Sequence, residues 1–138
     1  MQGYNVIVVF NQAFDRMLMC LRKKNPYKGL SNLVGGKIEP GEDGLAAAYR
    51  ELREETGIGE ADISLRHFID FTYHLSNCYV EVYVGKLARD VQVSGDENDL
   101  YWSDLAQNFF DSTRYAGEGN IGHIVEQIGL HRAELFGG

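Results

Sequence analysis

Three glutamates in residues 36–58 have the spacing of a divalent-metal site. Glu51, Glu54 and Glu55 follow a glycine-bounded loop, in a segment whose composition is typical of a helix. Successive residues of an α-helix are about 100° apart, so the three carboxylates fall within roughly 100° of arc on one face. Without a cation, Glu51 and Glu55 would repel each other across one turn. Hard cations prefer oxygen ligands of this kind, and we therefore predict a metal site in preference to a merely solvated acidic face.

The two ends of this helix and the loop before it are also predicted by local residue types. Asp43 can cap the first turn, and Gly57 suits the left-handed position just past the last turn. In the glycine-rich loop that precedes the helix, the backbone can approach an anion closely and Lys37 can supply a positive charge for a phosphate. Glu42 lies at the junction of loop and helix, within reach of the same metal cluster. Arg50 precedes Glu54 by four residues and can pair with its carboxylate.

Residues 36–58 as a whole resemble the sequence signature of the Nudix hydrolases, which include the MutT-like nucleotide pyrophosphohydrolases. That signature is Gly-x5-Glu-x7-Arg-Glu-U-x-Glu-Glu-x-Gly-U, where U is a bulky aliphatic residue. Its fixed positions are filled here by Gly36, Glu42, Arg50, Glu51, Leu52, Glu54, Glu55, Gly57 and Ile58. The flanking strand pattern extends a looser resemblance over most of the chain. The resemblance implies an α/β fold, a Nudix-type α/β/α sandwich with a mixed β-sheet between helices.

The resemblance also implies a reaction, the hydrolysis of the pyrophosphate bond in a nucleoside diphosphate linked to another group. Mg²⁺ or Mn²⁺ would clamp phosphate oxygens, lower the pKa of a bound water and neutralise developing charge. The implied metal-binding and catalytic residues are Gly36, Arg50, Glu51, Glu54 and Glu55. In relatives, a glutamate in a loop after the signature often serves as base or as a further metal ligand. Glu97 is our candidate for both roles here, and a solvated loop acid is its alternative interpretation.

Contacts to the substrate are predicted at four positions. Asn32 precedes Gly36 by four residues, where relatives that remove oxidised purine nucleotides carry an Asn that hydrogen-bonds the base, although a lone Asn is also common in turns. Ser31 and Val34 depart from those relatives, which carry an aromatic residue and often Pro there. Lys24, in a basic cluster at the end of a strand, is either a phosphate contact or simply solvated. Lys37 and Glu42 complete the set.

Three functions remain open at this stage. The first is a house-cleaning nucleoside triphosphate pyrophosphohydrolase, with an oxidised purine such as 8-oxo-dGTP as the leading example. The second is the same chemistry on ADP-ribose, a dinucleoside polyphosphate or a nucleotide sugar. The third is a non-catalytic nucleotide-binding module, which the complete set of signature glutamates disfavours because such modules usually lose one or more of them.

Length and charge limit the partners that we expect. The 138 residues predict one domain, 1–138, acting as a monomer or homodimer. A net charge of −7 disfavours duplex nucleic acid and anionic membranes as partners and leaves a small-molecule nucleotide. The start of the chain lacks a signal-peptide pattern and Cys20 and Cys78 are expected to be reduced, so we expect a cytoplasmic protein. The four histidines show no metal-ligand spacing.

Hydrophobic patterning predicts strands around two helices. Two apolar runs, 4–10 and 16–22, predict a hairpin, and residues 30–34 predict a short strand that leads into the glycine loop. Further strands are predicted at 63–73, 78–87 and 101–102. Apolar residues with helical spacing predict a C-terminal helix whose stripe packs on the sheet: Ile121, Ile124, Val125 and Ile128.

Overall fold

The computed structural model describes residues 1–95 and 98–137. In these residues the order of elements is β1 (Gln2–Phe10), β2 (Arg16–Leu21), β3 (Ser31–Asn32), β4 (Val34–Lys37), α1 (Gly44–Thr56), β5 (Arg66–Tyr73), β6 (Cys78–Lys86), β7 (Asp99–Asp104), α2 (Asn120–Leu130) and α3 (Arg132–Phe136). None of these helices has the length and apolar character needed to cross a bilayer.

A mixed sheet centred on β1 organises the chain. Strand β1 pairs in parallel with β6 along its whole length, and antiparallel with β2 and β4. Strand β5 extends the sheet beyond β6, while β3 and β7 both pair with β2. The predicted mixed sheet and the antiparallel pairing of the first two strands are therefore confirmed.

Both faces of the sheet are buried, which explains the continuous apolar run in β1. Ile7 and Val9 belong to the core beneath α1, whereas Val8 and Phe10 belong to the core beneath α2. Side chains alternate between faces along a strand, so a run apolar at every position needs a layer on each side. The predicted C-terminal helix is confirmed, with its stripe buried at Ile121, Ile124 and Ile128. The architecture is the predicted α/β/α sandwich.

The local capping predictions for α1 are also confirmed. The Oδ2 of Asp43 accepts a hydrogen bond from the backbone N–H of Ala46 at 3.1 Å. Gly57 adopts a left-handed φ of 84°, and its N–H donates to the carbonyl of Arg53. These caps fix where the helix begins and ends, and hence which loops its glutamates face.

The region before α1 differs from the prediction of one strand followed by a glycine loop. Residues 30–34 divide between β3 and β4, and Gly35 and Gly36 lie inside β4, paired with β1. The reason is close backbone approach, since a Cβ on Gly35 would lie 2.1 Å from the carbonyl oxygen of Asn5. Glycine allows a strand pairing here that any side chain would obstruct. The strand predicted at 63–73 begins only at Arg66, and α3 was not predicted.

Candidate active site

Arg50 links the loop before α1 to the carboxylates on the helix. Its Nε and Nη2 donate to the two carboxylate oxygens of Glu42 at 2.7 and 2.9 Å. Its Nη1 donates to Glu51 at 3.0 Å and to Glu54 at 3.3 Å. Nη2 also donates to the carbonyl of Lys37 at 3.1 Å. One guanidinium therefore contacts three signature glutamates and the end of β4.

Glu42 is the strongest partner of Arg50. The Arg50 hydrogen bonds, followed by the N–H of Glu39, lower the pKa of Glu42 to about 2. In the same contact, hydrogen bonding to Glu42 is the main reason that the pKa of Arg50 is raised. Both oxygens of the Glu42 carboxylate are thus engaged within the protein. Its expected contact to the substrate remains a prediction.

The carboxylate of Glu51 packs directly on Gly36. A Cβ added to Gly36 would lie within 2.5–2.6 Å of the carboxyl carbon and both oxygens of Glu51. The side chain of Glu51 is only 14% exposed. Burial raises the pKa of this carboxyl, and the hydrogen bond from Arg50 opposes the increase. Glycine at position 36 therefore makes the space that this carboxylate occupies.

Glu54 and Glu55 complete the acidic face. The side chain of Glu54 is 57% exposed, and the Oε2 of Glu55 accepts a hydrogen bond from the N–H of Gly35 at 3.2 Å. Carboxylates and the neighbouring backbone of β4 form an oxygen-only donor set, which suits Mg²⁺ or Mn²⁺ better than softer metals. The packing of Glu51 on Gly36 fits such a role, because it keeps a predicted ligand close to the β4 backbone.

A cavity of about 450 Å³ opens beside this acidic face. Glu55, Gly36, Lys37, Asn32 and Arg22 are among the residues that line it. The structure thus brings two of the predicted substrate contacts, Asn32 and Lys37, to the cleft that contains a signature glutamate.

Lys24, the other basic residue predicted to contact the substrate, does not line this cavity. Lys24 is exposed, whereas Arg22 is among the residues that line the cavity. Strand β2 ends at Leu21, and the next residue, Arg22, turns toward the cleft. The basic cluster therefore contributes to the cleft through its first member.

A second cavity, of about 360 Å³, adjoins the first on the α2 side of the sheet. Asn32 and Tyr27 line both cavities, and the second is walled mainly by apolar and aromatic side chains. Phe71, Tyr73, Ile121 and Ile124 line only this second cavity, whereas Val6, Leu33 and Val80 line both. An apolar pocket with a few polar groups at its edge is the usual form of a small-molecule site.

Two long-range hydrogen bonds border this second cavity, and the sequence patterns did not indicate them. The hydroxyl of Tyr27 donates to the carboxylate of Glu118 at 2.9 Å, and the side-chain amide of Asn120 donates to the hydroxyl of Tyr73. The partners of the first bond are 91 residues apart. Local spacing carries no signal for contacts of this range.

The predicted base, Glu97, lies outside the described residues. Its neighbour Asn98 lines the same cavity as Glu55. The backbone N–H of Ser94 donates to the carbonyl of Thr56 at 3.2 Å, so the chain before position 97 docks on the end of α1.

A separate group of possible metal ligands lies on β5 and β6. His67 Nε2 and Asp70 Oδ1 are 2.5 Å apart, and Glu81 offers an oxygen within 4.8 Å of both. The bulge between His67 and Ile69 brings this histidine and aspartate to one side of β5. The histidine spacing gave no indication of this group. Because His67 and Asp70 are exposed, a surface hydrogen bond accounts for their contact without a metal.

Comparisons with known proteins agree with the sequence signature of residues 36–58. The NUDIX domain family model matches residues 1–115. An ADP-ribose pyrophosphatase of Methanocaldococcus jannaschii is 46% identical over 44 residues, which is 32% of this chain and 26% of that protein. The 8-oxo-dGDP phosphatase NUDT18 of Mus musculus is 38% identical over 55 residues, or 40% of this chain and 17% of that protein. The chain thus spans only a minor part of these curated relatives.

Among solved structures, a C. elegans Ap4A hydrolase superimposes with a TM-score of 0.74 at 18% identity. The superposition covers 96% of this chain and 99% of that one. At this identity the likeness concerns the fold, and it agrees with the sandwich described above.

Proposed function

Because this chain belongs to the Nudix family, we propose that it is a metal-dependent hydrolase of the pyrophosphate bond in nucleoside diphosphate derivatives. The observation that carries the proposal is the set of signature carboxylates tied together by Arg50 at the edge of a cleft. We assign Mg²⁺ or Mn²⁺ to Glu51, Glu54, Glu55 and the backbone of Gly36. When bound, the metal supplies charge neutralisation at phosphate and activates water.

The remaining residues of the cleft have complementary roles in this proposal. Lys37 and Arg22 bring positive charge to the lining of the cavity in a protein whose net charge is −7, which favours a bound polyphosphate there. Arg50 holds the carboxylates in place. Glu97 is proposed as the base, supported by the docking of Ser94 on the end of α1 and by Asn98 on the cleft wall.

We propose an oxidised purine nucleoside triphosphate, such as 8-oxo-dGTP, as the substrate. The apolar second cavity adjoins the charged first cavity, so a base and its phosphates can occupy them together. Asn32 lies where the two meet, and its Oδ1 already accepts a bond from the N–H of Leu33 at 2.8 Å. Its NH₂ group is then the part that presents donors to an acceptor on the purine edge.

ADP-ribose is the second candidate. The M. jannaschii relative named as an ADP-ribose pyrophosphatase matches at higher identity than the mouse relative named for an oxidised purine nucleotide, although over a shorter segment. Both substrates place a purine and a pyrophosphate in the same order along a cleft. They differ in the group beyond the pyrophosphate, so a direct comparison separates them.

The test is a panel of unmodified and oxidised nucleoside triphosphates, ADP-ribose, dinucleoside polyphosphates and nucleotide sugars, each with Mg²⁺ and with chelator. Pyrophosphate is detected with pyrophosphatase, and monophosphate products with a phosphatase. We expect metal-dependent turnover, with 8-oxo-dGTP preferred. Preference for ADP-ribose would select the second candidate, and tight nucleotide binding without any turnover would select a binding module.

A matched pair of variants connects turnover to the site. Because Glu54 is a proposed metal ligand, Glu54→Gln should reduce kcat by orders of magnitude. Its side chain is exposed and its contact with Arg50 is long, at 3.3 Å, so the melting temperature should be nearly unchanged. Glu60→Gln makes the same chemical change at an exposed glutamate beyond the end of α1 and should keep full activity. Equal activity of the two variants would contradict the metal assignment.

We also propose that residues 1–138 form one domain, since the stripe of α2, beyond the matched residues, packs into the core beneath the sheet. Cys20 and Cys78 are both free thiols, which supports a reducing, cytoplasmic location. The proposed partner is the small-molecule nucleotide itself.

A further inference from the structure

Asn5 is a buried amide in β1, directly before a stretch of the strand, residues 6–10, in which every residue is apolar. It is 2% exposed, and the next two residues on its face of β1, Ile7 and Val9, are fully buried. In the sheet register it lies opposite Gly36 on β4 and Glu81 on β6. Burying an amide costs free energy unless its polar atoms find partners, so this position calls for a specific use of the side chain.

Only one end of the Asn5 amide has a partner among the residues that the structure describes. Its Oδ1 accepts a hydrogen bond from the N–H of Gly36 at 3.0 Å. Its Nδ2 is buried and has no hydrogen-bond partner in that part of the chain. Rotating the amide by 180° would not help, because the NH₂ group would then face the Gly36 N–H, donor against donor. The orphaned donor is therefore a consequence of the bond that holds Gly36.

The Asn5 side chain lies on the same side of the sheet as a carboxylate that has a predicted catalytic role. Directly paired residues place their side chains on the same face of a sheet, so Asn5 lies on the side toward which a Cβ of Gly36 would point. That Cβ would meet the carboxylate of Glu51 at 2.5 Å. Asn5 and Glu51 therefore occupy the same side of one glycine. Asn5 also lines the cavity that Glu55 lines.

We infer that Asn5 is a positioning residue for Glu51. Its Oδ1 fixes the glycine on which the carboxylate of Glu51 packs, and its Nδ2 donates to that carboxylate when the metal is bound. The inference rests on the proposed metal-dependent function. Carboxylates that ligate metals are commonly oriented by a hydrogen bond from a second residue, and loss of such a partner lowers metal affinity by about 10- to 100-fold.

The test observes the amide itself. In ¹⁵N-labelled full-length protein, the side-chain NH₂ signals of Asn5 are followed during a Mg²⁺ titration, together with the backbone amide of Gly36. We expect a downfield proton shift and slower hydrogen exchange at Asn5 that saturate at the same Mg²⁺ concentration as the Gly36 signal. Asn11 is the matched control, because its Nδ2 already donates to Asp15 in a surface turn and should not respond.

Calorimetry on a variant gives the second measurement. Asn5→Leu should bind Mg²⁺ about 10- to 100-fold more weakly, whereas a purely structural role would lower the melting temperature and leave the affinity unchanged. The titration on the wild-type protein decides the question if the variant does not fold. A Gly36 response without an Asn5 response would overturn this inference alone. The absence of any Mg²⁺ response would overturn both the inference and the metal dependence on which it rests.

Discussion

Substituting Gly36 by alanine should disable the site and preserve the fold. The backbone of Gly36 does not have a positive φ, so alanine can adopt its conformation without strain. The added Cβ would lie 2.5 Å from the carboxyl carbon of Glu51, whereas ordinary van der Waals contact begins at 3.4 Å. The atoms it meets are the end of a flexible side chain, so the carboxylate of Glu51 should retreat rather than the helix.

The size of the effect follows from that distance. The carboxylate must move by about 0.9 Å to restore ordinary contact, and a misplacement of about 1 Å can cost on the order of 100-fold in rate. A 100-fold decrease in kcat/KM corresponds to about 2.7 kcal/mol of transition-state stabilisation. We expect a decrease of that order for Gly36→Ala at saturating Mg²⁺, with a melting temperature within a few degrees of wild type.

Gly129→Ala is the control for this experiment. Gly129 is an exposed residue of α2, and a Cβ there would meet nothing within 4 Å. The same chemical change should therefore raise stability by about 0.5–1 kcal/mol through helix propensity and leave kinetics unchanged. The reasoning is refuted if Gly36→Ala retains kcat/KM within about threefold of wild type, or if it unfolds, since the helix rather than the carboxylate would then have yielded.

Two further predictions concern stability and thiol reactivity. The carboxylate of Asp62 accepts hydrogen bonds from the N–H of Gly59 and from Arg89, which lower its pKa. Because the folded pKa lies below the unfolded value of about 3.9, the stabilisation is present above that pH and is lost as pH falls through the folded pKa. Asp62→Asn should therefore lower the melting temperature at pH 7, with the difference shrinking in acid, and a difference independent of pH would argue against this. Burial, and secondly the charge of Glu55, raises the pKa of the Cys20 thiol to about 11. Iodoacetamide at pH 8 should therefore modify the half-buried thiol that lines the second cavity, Cys78, and bound nucleotide should slow that reaction. Peptide mass spectrometry measures the rate of labelling at each cysteine, with and without nucleotide. Rapid labelling of Cys20 would be inconsistent with its burial.

The features that could be predicted from the sequence are those that depend on neighbours along the chain. The cap at Asp43, the left-handed Gly57 and the stripe of α2 all follow from residue types within one or two turns, and all are found in the structure. The apolar run of the first strand was also visible in the sequence, and the structure explains it by burying both faces of β1. The sandwich itself was predicted from strands interleaved with two helices and from the resemblance to the Nudix signature.

Contacts between distant segments were the part that local patterns could not supply. Helical spacing indicated a pair between Arg50 and Glu54, yet the shorter bonds of Arg50 go to Glu42, which only the folded loop brings near. Gly35 and Gly36 indicated a loop, because the approach of β1 that makes them a strand is invisible in the sequence. Asn5 gave no local signal beyond being a polar residue in an apolar run.

The lengths of the Arg50 contacts indicate different roles for the three glutamates that Arg50 binds. Glu42 forms two bonds of 2.7 and 2.9 Å with the guanidinium and has a pKa of about 2, so it stays ionised and keeps Arg50 in place. Glu51 and Glu54 each form one longer bond, at 3.0 and 3.3 Å. A cation approaching from the cleft would therefore compete with Arg50 for these two carboxylates and leave the Glu42 pair intact. Arg50 would in this way offset part of the negative charge of the helix face before the metal binds, and release the two proposed ligands without losing its own position.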